Sequence, residues 1–139
     1  MIDFNYESEF TLSNEALFSD WISRVLLSEN REEGDVNYIF CDDDYLHKIN
    51  VEYLDHDTLT DVISFDYSVG NEINGDIFIS VERVMDNAKD YNVSFEEELK
   101  RVVIHGVLHY CGYKDKTPAD ELLMRQKEDE KLLLFHVEQ

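Results

Sequence analysis

The amino-acid sequence predicts an α+β fold, in which a mixed sheet of about four strands is covered by helices. Strand-like segments fall in the first half of the chain, whereas helical periodicity continues almost without interruption from Ser80 onward. The 139-residue chain contains one proline and five glycines, and no low-complexity linker divides it. We therefore expect a single domain spanning residues 1–139.

The first half predicts alternating strands and helices. Apolar and polar residues alternate over 2–7, which indicates the first strand. Apolar residues then recur with helical spacing from Ser13 to about Ser28, so an amphipathic helix is expected there. A second strand is predicted over 35–41, and a short helix from Asp42 to about Tyr53.

The second half predicts two more strands followed by helices. The segments 60–67 and 74–80 are rich in β-branched and aromatic residues, with turn residues between them, and indicate strands three and four. The remaining helices are expected over 81–91, 95–111 and about 119–135.

Charge and composition narrow the possible partners and location. The chain has 12 Lys and Arg against 32 Asp and Glu, giving a formal net charge of -20. Phosphate binding usually shows as clustered cations, so this balance, taken alone, disfavours nucleic acid, DNA included, and an anionic membrane surface as partners. There is no Cys-x-x-Cys pair, no apolar leader and no apolar run of about 18 residues. We therefore expect a cytoplasmic protein.

The residues that most strongly indicate a chemical function lie in the segment 94–115. Ser94 and Glu97 have the spacing of a capping box, so a helix is expected to begin here. Within that helix, His105 and His109 are four residues apart and therefore share one face. Gly112 can adopt the left-handed conformation that ends a helix, and Asp115 follows three residues later. The two imidazoles and the carboxylate are therefore predicted to meet at one metal ion.

Three protein ligands with an open fourth position are typical of a catalytic zinc site. We predict one Zn²⁺ per chain, held by His105, His109 and Asp115, and these three residues as catalytic. A Zn²⁺ ion lowers the pKa of its bound water from about 15.7 to about 7. The alternative interpretation is a pair of hydrogen-bonded core histidines. The other histidines, His47, His56 and His136, lack ligand spacing.

The string HGVLHYCGY, residues 105–113, resembles the motif of the YbeY family of bacterial rRNA-maturation endoribonucleases. The likeness extends to INVEYLDHDTLTDVISF at 49–65 and to GDIFIS at 75–80. The resemblance implies a metzincin-like fold with a central metal-binding helix. It also implies a metal-dependent endoribonuclease that acts on single-stranded RNA, in late processing of the 16S rRNA 3′ end and ribosome quality control. The implied partners are the rRNA precursor and the small ribosomal subunit.

Two positions depart from the family pattern. Asp115 stands where the family usually has a histidine ligand, and a carboxylate oxygen can replace it at a similar distance. Leu54 stands where the family usually has an arginine near the metal, a role that leucine cannot take. The candidates to supply that positive charge are Lys100, Arg101, Lys114 and Lys116. We predict Arg101 as the best placed of them, because it lies one helical turn before His105. Glu98 is expected to be a solvated charge at the helix start, and Asp61 to lie in the cleft or to begin a strand.

The sequence alone leaves two other functions open. A metzincin-like peptidase would need a glutamate directly after the first histidine, and Gly106 occupies that position. A metal-stabilised ribosome assembly factor without catalysis would be compatible with Leu54 and with the acidic composition.

Overall fold

A computed structural model describes residues 1–54 and 60–135 of the chain. The predicted α+β class is confirmed, since four strands and five helices are present in the described residues. The strands are β1 (Ile2–Tyr6), β2 (Glu32–Cys41), β3 (Val62–Asp66) and β4 (Glu72–Ser80). The helices are α1 (Glu15–Ser28), α2 (Asp43–Leu54), α3 (Val81–Asp90), α4 (Phe95–Tyr110) and α5 (Pro118–Phe135).

The four strands form one mixed sheet in the order β1-β2-β4-β3. The first three in that order are parallel, and β3 pairs antiparallel with β4 at the edge. Strand β2 begins three residues earlier than predicted. Its first residues, Glu32 and Glu33, pair with Glu72 and Ile73 beyond an irregularity in the register. This pairing depends on a distant segment, so local alternation did not indicate it.

Helix α4 packs very close to one face of the sheet. Gly106 faces Ile77 of β4, where a Cβ on the glycine would lie 3.0 Å from Ile77 Cδ1. Two tyrosine hydroxyls connect the same layers: Tyr38 donates to the Val103 carbonyl oxygen (2.9 Å) and Tyr110 donates to the Phe65 carbonyl oxygen (2.9 Å). These contacts fix the rotation of α4 about its axis. Helix α2 covers the opposite face, over a smaller apolar cluster that includes Leu46 and Ile63.

Both predicted ends of α4 are confirmed. Ser94 Oγ accepts a hydrogen bond from the Glu97 backbone N–H (3.1 Å), as an N-cap does. At the other end Gly112 has a φ of 101°, a backbone conformation that is strained for any residue with a side chain. The N–H groups of Gly112 and Tyr113 donate to the carbonyl oxygens of His109 (3.0 Å) and Leu108 (3.1 Å). This pair of bonds is a Schellman motif, which reverses the chain after the helix.

Across residues 1–54 and 60–135, no helix combines the length and the apolar character that crossing a membrane requires.

The close packing at β4 leads us to expect a loss of stability when a side chain is added there. A Cβ on Gly75 would lie 2.4 Å from Tyr110 Oη and 2.6 Å from the Phe65 carbonyl oxygen. We expect Gly75→Ala to lower the free energy of unfolding by about 1–3 kcal/mol or more, since α4 must move away from the sheet. Urea denaturation of both proteins measures this. In a Tyr110→Phe background the ring is no longer held by its hydroxyl, so the same substitution should cost less. An equal cost would show that Tyr110 is not the obstacle.

Candidate metal centre

Three ligand atoms meet beside the carboxyl end of α4. His105 Nε2 and His109 Nε2 lie 3.0 Å apart, and Asp115 Oδ2 lies 3.2 Å from the first and 3.4 Å from the second. Among the described residues, these three side chains form a group that could hold a metal ion. The structure therefore brings together the three residues that the motif singled out.

The triangle formed by these atoms fits a small divalent ion. Ligand atoms about 2.0–2.2 Å from a tetrahedral zinc are about 3.3–3.6 Å from each other. The distances to Asp115 Oδ2, 3.2 and 3.4 Å, are close to this range, and the two histidine nitrogens, at 3.0 Å, are slightly closer together. Two imidazole nitrogens and one carboxylate oxygen are also a donor set that zinc and other first-row metals accept. The geometry and the chemistry of the donors are thus both compatible with a bound metal.

Local structure explains why the three side chains converge. The two histidines share a face because they are four residues apart on α4. The reversal at Gly112 returns the chain toward that face, so that Asp115 can reach it. Two contacts hold the connecting loop: Arg31 Nη2 donates to the Cys111 carbonyl oxygen (2.9 Å), and the Tyr113 hydroxyl donates to Glu29 Oε1 (2.7 Å).

Glu128 of α5 is a site residue that the sequence analysis missed. Its Oε2 lies 2.6 Å from His105 Nδ1, the ring nitrogen that faces away from the other two ligands. The residue is only 5% exposed, and its Oε1 accepts a hydrogen bond from Arg101 Nη1 (2.9 Å). A carboxylate on the second nitrogen of a histidine ligand fixes the ring's tautomer and orientation. Met124, Glu128 and Lys131 form the buried face of α5, and because two of them are charged the apolar pattern of the sequence did not mark this face.

The surroundings shift the pKa values of the two histidines in opposite directions. Burial disfavours the charged form of His105, but the hydrogen bond and charge of Glu128 outweigh it and raise the pKa of His105. The carboxylates of Asp115 and Asp61 act in the same direction. Burial and the neighbouring His105 lower the pKa of His109, which favours the neutral form that binds metals.

A cavity of about 430 Å³ opens beside His105 and Asp115. Asp61 lines it, and the Asp61 carboxylate accepts a hydrogen bond from Asn87 Nδ2 (3.2 Å). Glu98 lines it as well. The expectation that Glu98 is solvated is wrong, because it is 5% exposed, and burial raises its pKa above the usual value. Glu98 lies in a wall that α4 shares with α5, while Glu96 and Glu97 on the same turn are exposed, and the sequence pattern did not indicate this difference.

Arg101 lies in the predicted place but is already paired. It lines the cavity with His105, while its Nη1 and Nη2 atoms donate to Glu128 (2.9 Å) and Asp129 (2.8 Å). Leu54, at the end of α2, is not among the described residues that line this cavity. His56 and His136 lie outside the described residues.

Comparisons with known proteins find similarity to one family. The family model for "Endoribonuclease YbeY" matches residues 2–136. The chain is 75% identical over 139 residues to Endoribonuclease YbeY of Flavobacterium johnsoniae, with 100% of both chains covered. It is 46% identical over 115 residues to Endoribonuclease YbeY of Porphyromonas gingivalis, covering 83% of this chain and 76% of that protein. A Thermotoga maritima protein known from a solution structure is similar in fold, with a TM-score of 0.71 and 28% identity over 97% of this chain and 89% of that one.

The contact between Glu128 and His105 predicts a specific effect on metal affinity. We expect Glu128→Gln to weaken the binding of a divalent ion by about tenfold or more, since the ring of His105 loses the charge that orients it. Competition with a chromogenic chelator measures the affinity.

Asp129→Asn is the matched control, because Asp129 pairs with the same arginine without contacting His105. The control should bind the ion as the unmodified protein does. Equal affinities for all three proteins would show that Glu128 does not orient the ligand.

Proposed function

This chain belongs to the YbeY family of endoribonucleases, and we propose that it cleaves RNA at the metal centre formed by His105, His109 and Asp115. The convergence of these three ligand atoms at the edge of an open cavity is the observation that carries the proposal. We propose one Zn²⁺ per chain as the ion, which suits the donor set and the spacing of the ligand atoms. When bound, such an ion supplies Lewis-acid polarisation of a phosphoryl oxygen and activates water.

The chain's own residues would hold and orient the reacting groups. His105 and His109 would bind through Nε2, and Glu128 would keep the His105 ring in the required orientation through Nδ1. The cavity beside them has room for a phosphodiester group and is reached from solvent. Asp61 and Glu98 lie in its wall and would accept hydrogen bonds from the nucleotide or from water. We propose that residues 1–139 form a single domain around this centre.

The proposed substrate is single-stranded RNA near the 3′ end of the 16S rRNA precursor, and the proposed partner is the small ribosomal subunit in the cytoplasm. A chain with a net charge of -20 repels free RNA over most of its surface. Delivery of the RNA end by an assembled ribosomal particle would overcome this repulsion. The acidic surface therefore favours a substrate that is presented locally over one captured from solution.

The position of Gly106 counts against peptide hydrolysis. Gly106 directly follows the first histidine and faces Ile77 of β4. A Cβ placed on Gly106 would lie 3.0 Å from the Ile77 side chain. A glutamate at this position would meet β4 before it could reach the ligand triangle. The general base that the peptidase motif requires is thus missing, and the packing leaves no room for it.

Replacement of a ligand tests the proposal directly. We expect His109→Ala to lose divalent-ion binding and to reduce cleavage of a single-stranded RNA by at least about a hundredfold, because one of three ligands is removed. Cleavage of an end-labelled RNA and the metal content of the purified protein are measured together with the thermal unfolding midpoint. His47→Ala on α2 serves as a control histidine remote from the centre.

The outcome separates the possible functions. A folded, metal-free and inactive His109→Ala protein supports the enzyme. Unfolding of the variant, with no RNA cleavage by the unmodified protein, would instead favour a metal-stabilised assembly factor.

The role of Arg101 stays a prediction, and two different roles are to be distinguished. If its guanidinium contacts the phosphate, Arg101→Ala should raise the KM for RNA by about tenfold or more and leave metal affinity unchanged. If it acts by holding Glu128 in place, the same variant should lose metal affinity. Steady-state cleavage and a metal titration on the same preparation distinguish these roles. Unchanged values of both quantities would remove Arg101 from the site.

A further inference from the structure

The cavity at the metal centre continues into a second groove of about 470 Å³. The two spaces share four lining residues, among them Tyr91 and Arg125. Tyr91 follows α3, and Arg125 lies on α5 one turn before Glu128. A chain entering the cavity beside His105 can therefore extend into this groove without leaving the protein surface.

Arg125 differs from Arg101 in the availability of its charge. The Arg101 side chain is 20% exposed and makes two close ion pairs, at 2.9 and 2.8 Å. The Arg125 side chain is 54% exposed, and its Nη1 lies 3.8 Å from Glu128 Oε1, an oxygen that already accepts a hydrogen bond from Arg101. Because that contact is long and shared, most of the donor capacity of Arg125 is left for a ligand, and the residue lines the groove. A guanidinium in this state is suited to binding a phosphate.

Tyr91 offers an aromatic surface in the same groove. The residue is 60% exposed although it lines both the cavity and the groove. Its backbone is held at the end of α3, where its N–H donates to the Asn87 carbonyl oxygen (2.9 Å). An exposed ring on a fixed backbone gives a nucleobase a surface for stacking.

Because the groove is mostly acidic, a nucleotide needs both the phosphate contact and the stacking contact to bind there. Glu97, Glu98 and Asp129 also line it, so a phosphate finds little net attraction there apart from Arg125. Stacking on an aromatic ring does not depend on charge and can add affinity where electrostatics are weak. We propose that Arg125 and Tyr91 form a nucleotide subsite for single-stranded RNA, in which Arg125 binds a phosphodiester group next to the scissile one and Tyr91 stacks on a base. This inference rests on the proposed endoribonuclease function.

Two variants test the subsite with the full-length, metal-loaded protein and an end-labelled single-stranded RNA. We expect Arg125→Ala and Tyr91→Ala each to lower kcat/KM by about tenfold, mainly through KM, with metal content unchanged. Removing one phosphate contact should reduce the slope of log kcat/KM against log salt by about 0.7 for Arg125→Ala. The slope should stay unchanged for Tyr91→Ala, because stacking releases no counterions.

Conservative and control variants sharpen the result. Arg125→Lys should recover part of the loss because it keeps the charge, and Tyr91→Phe should recover most of it because it keeps the ring. Lys89→Ala removes an exposed cation from α3, and Tyr67→Ala removes an exposed tyrosine from the opposite groove between α2 and β3. Both control variants should cleave RNA as the unmodified protein does.

The possible outcomes lead to distinct conclusions. If the unmodified protein cleaves RNA and neither Arg125→Ala nor Tyr91→Ala changes kcat/KM, the subsite is disproved while the enzyme function stands. A loss for Tyr67→Ala with none for Tyr91→Ala would also disprove it, because the RNA would then cross the other face. If the unmodified, metal-loaded protein cleaves no RNA, the proposed function itself fails.

Discussion

The carboxylate of Glu128 ties the last helix to the metal-binding face of α4, and the rest of the centre depends on this contact. A buried carboxylate is tolerated only with partners, and here His105 Nδ1 and Arg101 Nη1 lie at 2.6 and 2.9 Å. Removing one partner of such a group typically costs about 3–5 kcal/mol, because the remaining charge is left uncompensated. Glu128 therefore contributes both to the docking of α5 and to the orientation of His105, so a change at this residue is expected to affect stability and the metal centre together.

The sheet imposes the second constraint, which is the rotation of α4. Gly106 and Gly75 leave the space that brings helix and sheet together, while Tyr38 and Tyr110 donate hydrogen bonds across the same interface. With the apolar side of α4 held against the sheet, the side that carries His105 and His109 must face away from the sheet, and His105 lines the cavity there. The two histidines, which lie in the mostly buried second half of α4, are thus placed by the packing of their apolar neighbours.

The sequence predicted the parts of the site that are local and missed those that depend on tertiary packing. His105, His109 and Asp115 lie within eleven residues of one another, so helical spacing and a glycine turn were sufficient to predict their convergence. Glu128 reaches His105 from another helix, and only the docking of α5 shows that contact. The burial of Glu98 is not predictable from the sequence for the same reason, since it depends on neighbours that the periodicity of α4 does not specify.

The charges around the cavity give a bound cation an electrostatic role in addition to its chemistry. Among the described residues, five carboxylates line the cavity against two arginines: Asp61, Glu98, Asp115, Glu121 and Glu128 against Arg101 and Arg125. A phosphodiester would meet net negative charge in such a space, and Arg101 already neutralises part of the wall rather than the substrate. A divalent ion held by the three ligands adds two positive charges where the phosphate must enter. RNA binding at the cavity should therefore depend on the metal, because the protein alone carries too few uncommitted cations there to attract an anion.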